Sequence, residues 1–226
     1  MWMYLPRHFA EDDPAAMVAL IERVSLGELV TSNGSSIDSS AIPFLFEPPT
    51  DDEGDDSGIG RLVGHLARAN EQWSNFDPDV EALAIFRGPD AYVSPAWYAT
   101  KRDHGKVVPT WNYATVHVHG RIVVHDDPVW LLDLVTRLTD RHESRRLDPW
   151  AVADAPPEYI AAQLRAIVGV ELQITSIEAK WKLSQNQPEA NRSGVVHGLT
   201  AEGAPRQLEV AAMIEVPEVV RPSGAA

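Results

Sequence analysis

The stretch LGELVTSNGSSIDSSAIPFLF, Leu26–Phe46, reads as two strands about a turn. Leu26–Ser32 carries Leu29, Val30 and Thr31, residue types that suit a pleated, half-buried surface. Asn33-Gly34-Ser35-Ser36 is turn material, and Ser40–Phe46 resumes extended chain. Further strand-like runs follow at Arg61–Ala67, Glu81–Arg87 and Ala91–Ser94, the last two separated by a predicted turn at Gly88-Pro89-Asp90. Trp111–Val124 is long enough for a strand continuing through Gly120, with Val116 and Val118 alternating with His117 and His119. From Leu26 to Val124, strand follows strand without an intervening helix. That order predicts a mainly β, antiparallel sheet or barrel and argues against a doubly wound parallel sheet.

Helices are expected at the periphery. Asp13 is an N-cap ahead of Pro14, and Met17, Leu20, Ile21 and Val24 recur at helical spacing. Asp127-Pro128 caps a second helix running to Arg146, with either Val129, Leu132 and Val135 or Leu131, Leu134, Val135 and Leu138 as its apolar face. Pro156-Pro157 begins a third, carrying Ile160, Leu164 and Ile167. Val170, Leu172 and Ile174 alternate as a strand does. Glu189–Leu199 reads as a short helix, Tyr4–Pro6 as extended chain, and Lys101–Lys106 as a loop.

The chain has 226 residues, 44% of them apolar, enough for a buried core in one large domain or two small ones. A single domain over residues 1–215 is expected, with a Pro/Gly/Ala-rich flexible tail at 216–226. With 19 Lys and Arg against 33 Asp and Glu, the net charge is −14. Such a balance opposes non-specific DNA binding, which draws affinity from neutralised phosphates. Five acids lie within residues 51–56, a stretch read as a solvated loop; without them the balance is still −14 + 5 = −9. No helix-turn-helix with a basic second helix is visible. Arg137, Arg141, Arg145 and Arg146 suit a helix C-terminus by dipole logic. The absence of cysteine excludes disulfides, thiol catalysis and Cys-ligated metals. The opening MWMYLPRHFAEDD has no basic segment followed by an apolar run, and no apolar stretch approaches the ~18–20 residues of a membrane span. A cytoplasmic protein is expected.

Against that acidic background, Trp97–Gly120 (WYATKRDHGKVVPTWNYATVHVHG) is cationic and aromatic, with two Trp, two Tyr, three His and three Lys or Arg in 24 residues. Aromatic faces stack on rings and Lys or Arg neutralises a phosphate, so the pattern suits a small planar anion; the alternative is a structural strand and loop. No Gly-x-Ser-x-Gly elbow or Gly-rich phosphate loop occurs, and no side chain stands out as a catalytic acid or base. His117 and His119 can face one way on a strand, but no third ligand has suggestive spacing, so no metal is assigned.

Several stretches, taken in order, resemble a known family: Met3-Tyr4-Leu5-Pro6 with Phe9; Gly64-His65-Leu66-Ala67-Arg68-Ala69-Asn70; Gly88-Pro89 with Ala91-Tyr92-Val93-Ser94-Pro95 and Trp97-Tyr98; Val108-Pro109-Thr110-Trp111-Asn112-Tyr113 with Val116-His117 and Gly120; and Lys180-Trp181-Lys182-Leu183-Ser184-Gln185-Asn186. From about Met1 to Leu199 the chain is similar to the PaiB-like FMN-binding split-barrel proteins, often labelled negative transcriptional regulators. The resemblance implies a split β-barrel akin to the pyridoxamine-phosphate-oxidase superfamily, a homodimer, and FMN at the subunit interface. Two positions depart from the family pattern. Ser40-Ala41-Ile42-Pro43 stands where Thr-His-Leu-Pro is usual, and Glu71 stands in place of a Pro.

FMN asks for donors to its phosphate and ring carbonyls and for an apolar or aromatic wall. Ser40 keeps the hydroxyl of the usual Thr. Arg68 is a phosphate candidate or half of a surface ion pair; Lys101 is a phosphate candidate or a solvated lysine. Thr110, Trp111 and Asn112 put a hydroxyl, an aromatic plane and an amide in succession, either as a ligand-binding cluster or as a strand start locked by side-chain hydrogen bonds. Lys180 and Lys182 share one strand face, opposite Trp181, and Ser184, Gln185 and Asn186 extend the run of donors; the alternative is a structural β-turn with snorkelling lysines. His65 is a flavin or haem contact, or a hydrogen-bonded strand histidine. The resulting expectation is FMN binding at a homodimer interface, with flavin-dependent redox chemistry on an unidentified small molecule. The alternatives are a non-catalytic regulator or interaction module on the same barrel, and a haem-binding protein using His65, His117 or His119.

Overall fold

The computed structural model describes residues 3–49 and 58–215. The acidic stretch at 51–56 and the tail at 216–226, expected to be a loop and flexible chain, lie outside the described residues. The strands are β1 (Ala10–Glu11), β2 (Leu26–Ser32), β3 (Ile37–Pro43), β4 (Leu45–Glu47), β5 (Arg61–Ala67), β6 (Ala82–Val93), β7 (Thr110–His125) and β8 (Ile167–Lys182). They form one sheet in the order β3-β2-β6-β7-β8-β5-β4, with β1 against β8. Every pairing with a defined register is antiparallel. The helices are α1 (Pro14–Val24), α2 (Lys101–His104), α3 (Pro128–Glu143), α4 (Pro157–Leu164), α5 (Glu189–Glu202) and α6 (Pro205–Glu215). The mainly β, antiparallel class with peripheral helices is as expected. The chain divides into two compact units, one of residues 1–11, 88–115 and 179–226 and the other of residues 12–87 and 116–178.

In the unit of residues 12–87 and 116–178, the Asp13 carboxylate accepts the Ala15 N–H at 3.0 Å and starts α1. β2 and β3 pair from Leu26↔Pro43 to Ser32↔Ile37. The turn between them is closed by Asn33 Oδ1, which accepts from the Ser35 and Ser36 amides at 2.9 and 2.7 Å. The second strand was expected at Ser40–Phe46; instead, β3 ends at Pro43 and β4 begins at Leu45. Pro43 cannot donate to a ladder, and Phe44 turns into the core, where it is 1% exposed and meets Phe86 edge-on at 5.9 Å.

β6 runs unbroken through Gly88-Pro89-Asp90, where a turn was expected. Its pairs with β2 cover only Leu83, Ala84 and Ile85, so Pro89 removes no donor from that ladder. The buried positions are 82, 84 and 86 before the Gly-Pro pair and 89, 91 and 93 from it onward. The breaker residues thus produce a one-residue change of phase instead of a reversal.

Asp127 caps α3 by accepting from the Val129 and Trp130 amides, and the helix ends at Glu143, three residues before the expected Arg146. Leu134 and Leu138 of α3 pack with Leu45 and Val63. Trp130 lies over Gly169, where a Cβ would come 2.2 Å from the ring, and stacks on His125 at 4.0 Å.

Burial lowers the pKa of His65, His117 and His119 in this unit. For His65 it is the one cause; His117 also feels His119, and Glu178 acts in the opposite sense on His117 and His119. The folded protein therefore binds these protons less readily than the unfolded chain. Their contribution to stability is present above the unfolded value of about 6.5 and is lost as pH falls through the lowered folded values. The urea midpoint is expected to fall between about pH 7 and pH 5, ahead of the carboxylate range, and His65→Gln should flatten that fall. A midpoint unchanged across this window refutes the prediction.

In the other unit, Ala10 and Glu11 of β1 pair with Lys180 and Ala179. Val93, Tyr98, Leu183, Val195, Leu199, Val210 and Ile214 form a core between sheet and helices. α6, which carries Val210 and Ile214, was not anticipated. The segment Lys101–Lys106, expected as a loop, begins with the single helical turn of α2, which stops at Gly105 with φ 65°.

Candidate functional site

The unit of residues 1–11, 88–115 and 179–226 holds the last residues of β8 and the start of β7. Period-two alternation puts Lys180 and Lys182 on one side of β8. Lys180 is 7% exposed; its Nζ donates to Tyr4 O at 2.9 Å and lies over the rings of Tyr4 and Tyr113 at 5.2 and 5.7 Å. Such contacts compensate an ammonium for lost water. Lys182 Nζ donates to Thr110 Oγ1 and to Trp111 O, both at 2.5 Å. Its pKa is lowered, chiefly by burial and then by the neighbouring Lys180.

Beyond the strand, Ser184 adopts φ 64°, and this left-handed turn brings its hydroxyl to Asn112. Asn112 Nδ2 donates to Ser184 Oγ at 2.9 Å, and Oγ lies 3.2 Å from Asn112 Oδ1; both residues are buried. Thr110, Asn112, Lys182 and Ser184 line a cavity of about 400 Å³. His104 and Lys106 also line it, and no Asp or Glu does among the described residues. In a chain of net charge −14, this is a local reversal of sign.

The other expected residues of this unit sit differently. Trp111 is 54% exposed and does not line the cavity; its ring meets Tyr92 edge-on at 6.0 Å. Gln185 closes its own turn, accepting from Leu183 N at 2.7 Å and donating to Trp181 O at 2.5 Å. Lys101 is exposed on α2 and is not among the lining residues. Lys180 stands between its two tyrosines, away from the lining.

The unit of residues 12–87 and 116–178 holds Ser40, His65 and Arg68. Ser40 Oγ accepts from Asn70 Nδ2 at 2.8 Å. Asn70 also caps the turn ahead of Gln72, and buried Gln72 donates to Leu29 O at 3.0 Å and Thr31 Oγ1 at 3.2 Å. His65 is half-buried, and its Nδ1 is buried without a hydrogen-bond partner among the described residues. Arg68 is engaged by three partners: Nε donates to Arg165 O at 2.8 Å, Nη2 to Ile167 O at 3.0 Å, and the guanidinium pairs with Asp126. Arg68 holds the Asp126 carboxyl below its ordinary range. Of the two readings of Arg68, the geometry displays the ion pair.

FMN fits the cavity on two counts: about 400 Å³ lies within the range of small-molecule sites, and a cationic, hydroxyl- and amide-rich wall matches a ligand rich in acceptors. The sequence reading missed Thr100, His104, Lys106 and Asn191 of this lining. His104 and Lys106 lay inside the cationic stretch Trp97–Gly120, so their charge was the available signal. Among the described residues no group of three or more His, Asp or Glu is placed to hold a metal ion, and no helix is long and apolar enough to cross a membrane.

Comparison with known proteins identifies relatives in sequence and in fold. Protease synthase and sporulation protein PAI 2 of Bacillus subtilis (strain 168) is 28% identical over 213 residues, covering 94% of this chain and 97% of that protein. An uncharacterized protein of Emericella nidulans is 33% identical over 226 aligned positions, covering 87% and 90% of the two chains. Among solved structures, the flavocytochrome Anf3 from Azotobacter vinelandii superposes with a TM-score of 0.52 at 15% identity, covering 78% of this chain and 72% of that one. The FAD and heme binding protein from Mycobacterium smegmatis gives 0.52 at 14% identity, covering 76% and 73%. These two likenesses are of fold, the split barrel, which is the architecture expected from the sequence. Residues 3–176 match the model of the family described as "Putative FMN-binding domain", and the chain belongs to that family.

Proposed function

We propose that this protein binds FMN in the cavity lined by Thr110, Asn112, Lys182 and Ser184. The observation that carries the reading is a cavity with two lysines and, among the described residues, no carboxylate, in a strongly acidic chain. An ammonium has three donors, and Lys182 directs two of them at Thr110 and Trp111. The third remains for a ligand acceptor, and the positive charge suits the polar edge of the flavin ring, where negative charge gathers on reduction. The hydroxyls of Thr110 and Ser184 and the amide of Asn112 supply further donors and acceptors. When bound, FMN supplies hydride or electron transfer; the protein supplies position and electrostatics.

The exposed aromatic pair Tyr92 and Trp111 supports a second element of the reading, a homodimer that covers this apolar surface. The test of FMN binding is a visible absorption spectrum of the purified protein, followed by FMN titration monitored by flavin fluorescence. The expected result is saturable quenching at one FMN per chain. A folded protein that leaves FMN fluorescence unchanged overturns the proposal.

A further inference from the structure

The segment from Thr100 to Lys106 forms one wall of the cavity. It consists of the single turn α2 and the left-handed Gly105, and the side chains of residues 101–106 are exposed. A short exposed turn of this kind has little packing of its own to hold it. Its fastening is a side chain from α5. Asn191, 2% exposed, accepts from Thr100 N at 3.1 Å and donates to Thr100 Oγ1 at 3.0 Å and to Gln187 Oε1 at 3.0 Å. An amide has two donors and one carbonyl oxygen, so Asn191 commits both kinds of group to this anchorage.

The wall presents two cationic or donor side chains, His104 and Lys106. His104 Nδ1 accepts the Lys106 backbone N–H at 3.0 Å. With Nδ1 accepting, the proton of the neutral ring sits on Nε2, so His104 offers a donor at its outer nitrogen. Lys106, on the residue that fixes this tautomer, adds a full positive charge. A donor imidazole beside an ammonium, with no carboxylate among the described lining residues, matches a terminal phosphate better than a neutral ring.

We propose that the Thr100–Lys106 segment is the phosphate-recognising element of this cavity, with His104 and Lys106 as direct donors and Asn191 as the positioning residue that holds them in place. The proposal rests on the FMN reading and deepens it: the Lys182 end takes the ring, and the Thr100–Lys106 wall takes the phosphate. Riboflavin, which has the ring and lacks the phosphate, separates the two.

The experiment compares FMN and riboflavin dissociation constants in the wild-type protein, in the His104→Ala/Lys106→Ala double variant and in Asn191→Ala. The double variant alters exposed side chains and leaves the core intact. It is expected to weaken FMN by about 10- to 100-fold, the range for charge-assisted hydrogen bonds, and to leave riboflavin within about 2-fold. Asn191→Ala is expected to follow the same pattern at about 10-fold, and Asn191→Asp, which keeps the acceptor for Thr100 N, to lose less. Inorganic phosphate should compete with FMN in the wild type and fail to do so in the double variant. Equal weakening of both flavins would make the wall merely structural and overturn the proposal. Wild-type protein binding riboflavin as tightly as FMN also overturns it, while sparing the ring site. Wild-type protein binding neither flavin overturns the FMN reading itself.

Discussion

Lys182→Met is expected to weaken FMN by between about 10- and 100-fold, and riboflavin by the same factor. The substitution keeps the length of the stem and removes the ammonium. In the wild type that ammonium is held by Thr110 Oγ1 and Trp111 O at 2.5 Å, so its position is set before any ligand arrives. Preorganised charge of this kind acts without an ordering cost at the moment of binding. Burial and Lys180 both lower the Lys182 pKa, so the charged form is already disfavoured, and an acceptor from the ligand relieves part of that strain. Thr110→Val separates the two roles of the site. It takes one partner from Lys182 and leaves the charge, so its effect on both flavins should be smaller than that of Lys182→Met. Fluorescence titration of the two flavins against the two variants decides the matter. A Lys182→Met protein that folds and binds FMN normally would remove Lys182 from the site.

The contrast between strands read to the residue and segments misread has a physical basis. Leu26–Ser32 and Arg61–Ala67 match β2 and β5 at both ends. Both are bounded by polar or turn-forming residues. Gly88-Pro89 misled because its meaning depends on what lies alongside. Proline ends a strand whose every N–H is paired, and is tolerated where the ladder with β2 has already stopped at Ile85. β3 was misplaced for a related reason, since Pro43 divides what composition presents as one extended run. α6 carries Val210, Ala211 and Ile214 at helical spacing, so its apolar stripe was present in the sequence and went unread.

The candidate site was legible in proportion to how local its residues are. Thr110 and Asn112 lie two apart on β7, so alternation groups that pair, whereas Ser184 stands two residues past the last residue of β8 and reaches the site through its left-handed turn. Ser184 and Asn112 are 72 residues apart, and in the sequence only the family resemblance of their two motifs connects them. Asn191 was invisible for want of any such signal: its partner Thr100 is 91 residues away, and a buried Asn on a helix looks like any polar helix residue. Arg68 shows the converse. Its charge advertised a phosphate site, but two carbonyls and Asp126 already occupy the guanidinium, and those partners are set by the end of the β5–β8 ladder.

Gly194→Ala is expected to destabilise the protein by about 2 kcal/mol or more, although alanine is the better helix former by about 1 kcal/mol. Two effects of opposite sign compete here. α5 is otherwise a conventional helix of fourteen residues, in which glycine costs backbone entropy. Against that gain, a Cβ at Gly194 would stand 2.0 Å from Trp97 O, a backbone atom that no rotamer change can move. One turn on, a Cβ at Gly198 would stand 2.3 Å from the Trp97 ring. The two glycines therefore let Trp97 lie directly on the helix backbone, and the contact costs more to break than the propensity returns. Moving α5 outward to relieve the clash would unseat Val195 and Leu199, both fully buried, from Val210 and Ile214. The same displacement would strain the three hydrogen bonds of Asn191, less than one turn before Gly194, so a folded Gly194→Ala protein should also bind FMN more weakly than riboflavin relative to wild type. Urea unfolding measures the first effect and the paired flavin titration the second. Gly203→Ala is the control for backbone conformation alone: with φ 71° and its nearest Cβ contact at 3.7 Å, it carries a left-handed penalty of about 1–2 kcal/mol with no clash and no route to the cavity. Gly194→Ala more stable than wild type would mean that helix propensity prevails and that Trp97 does not pin α5.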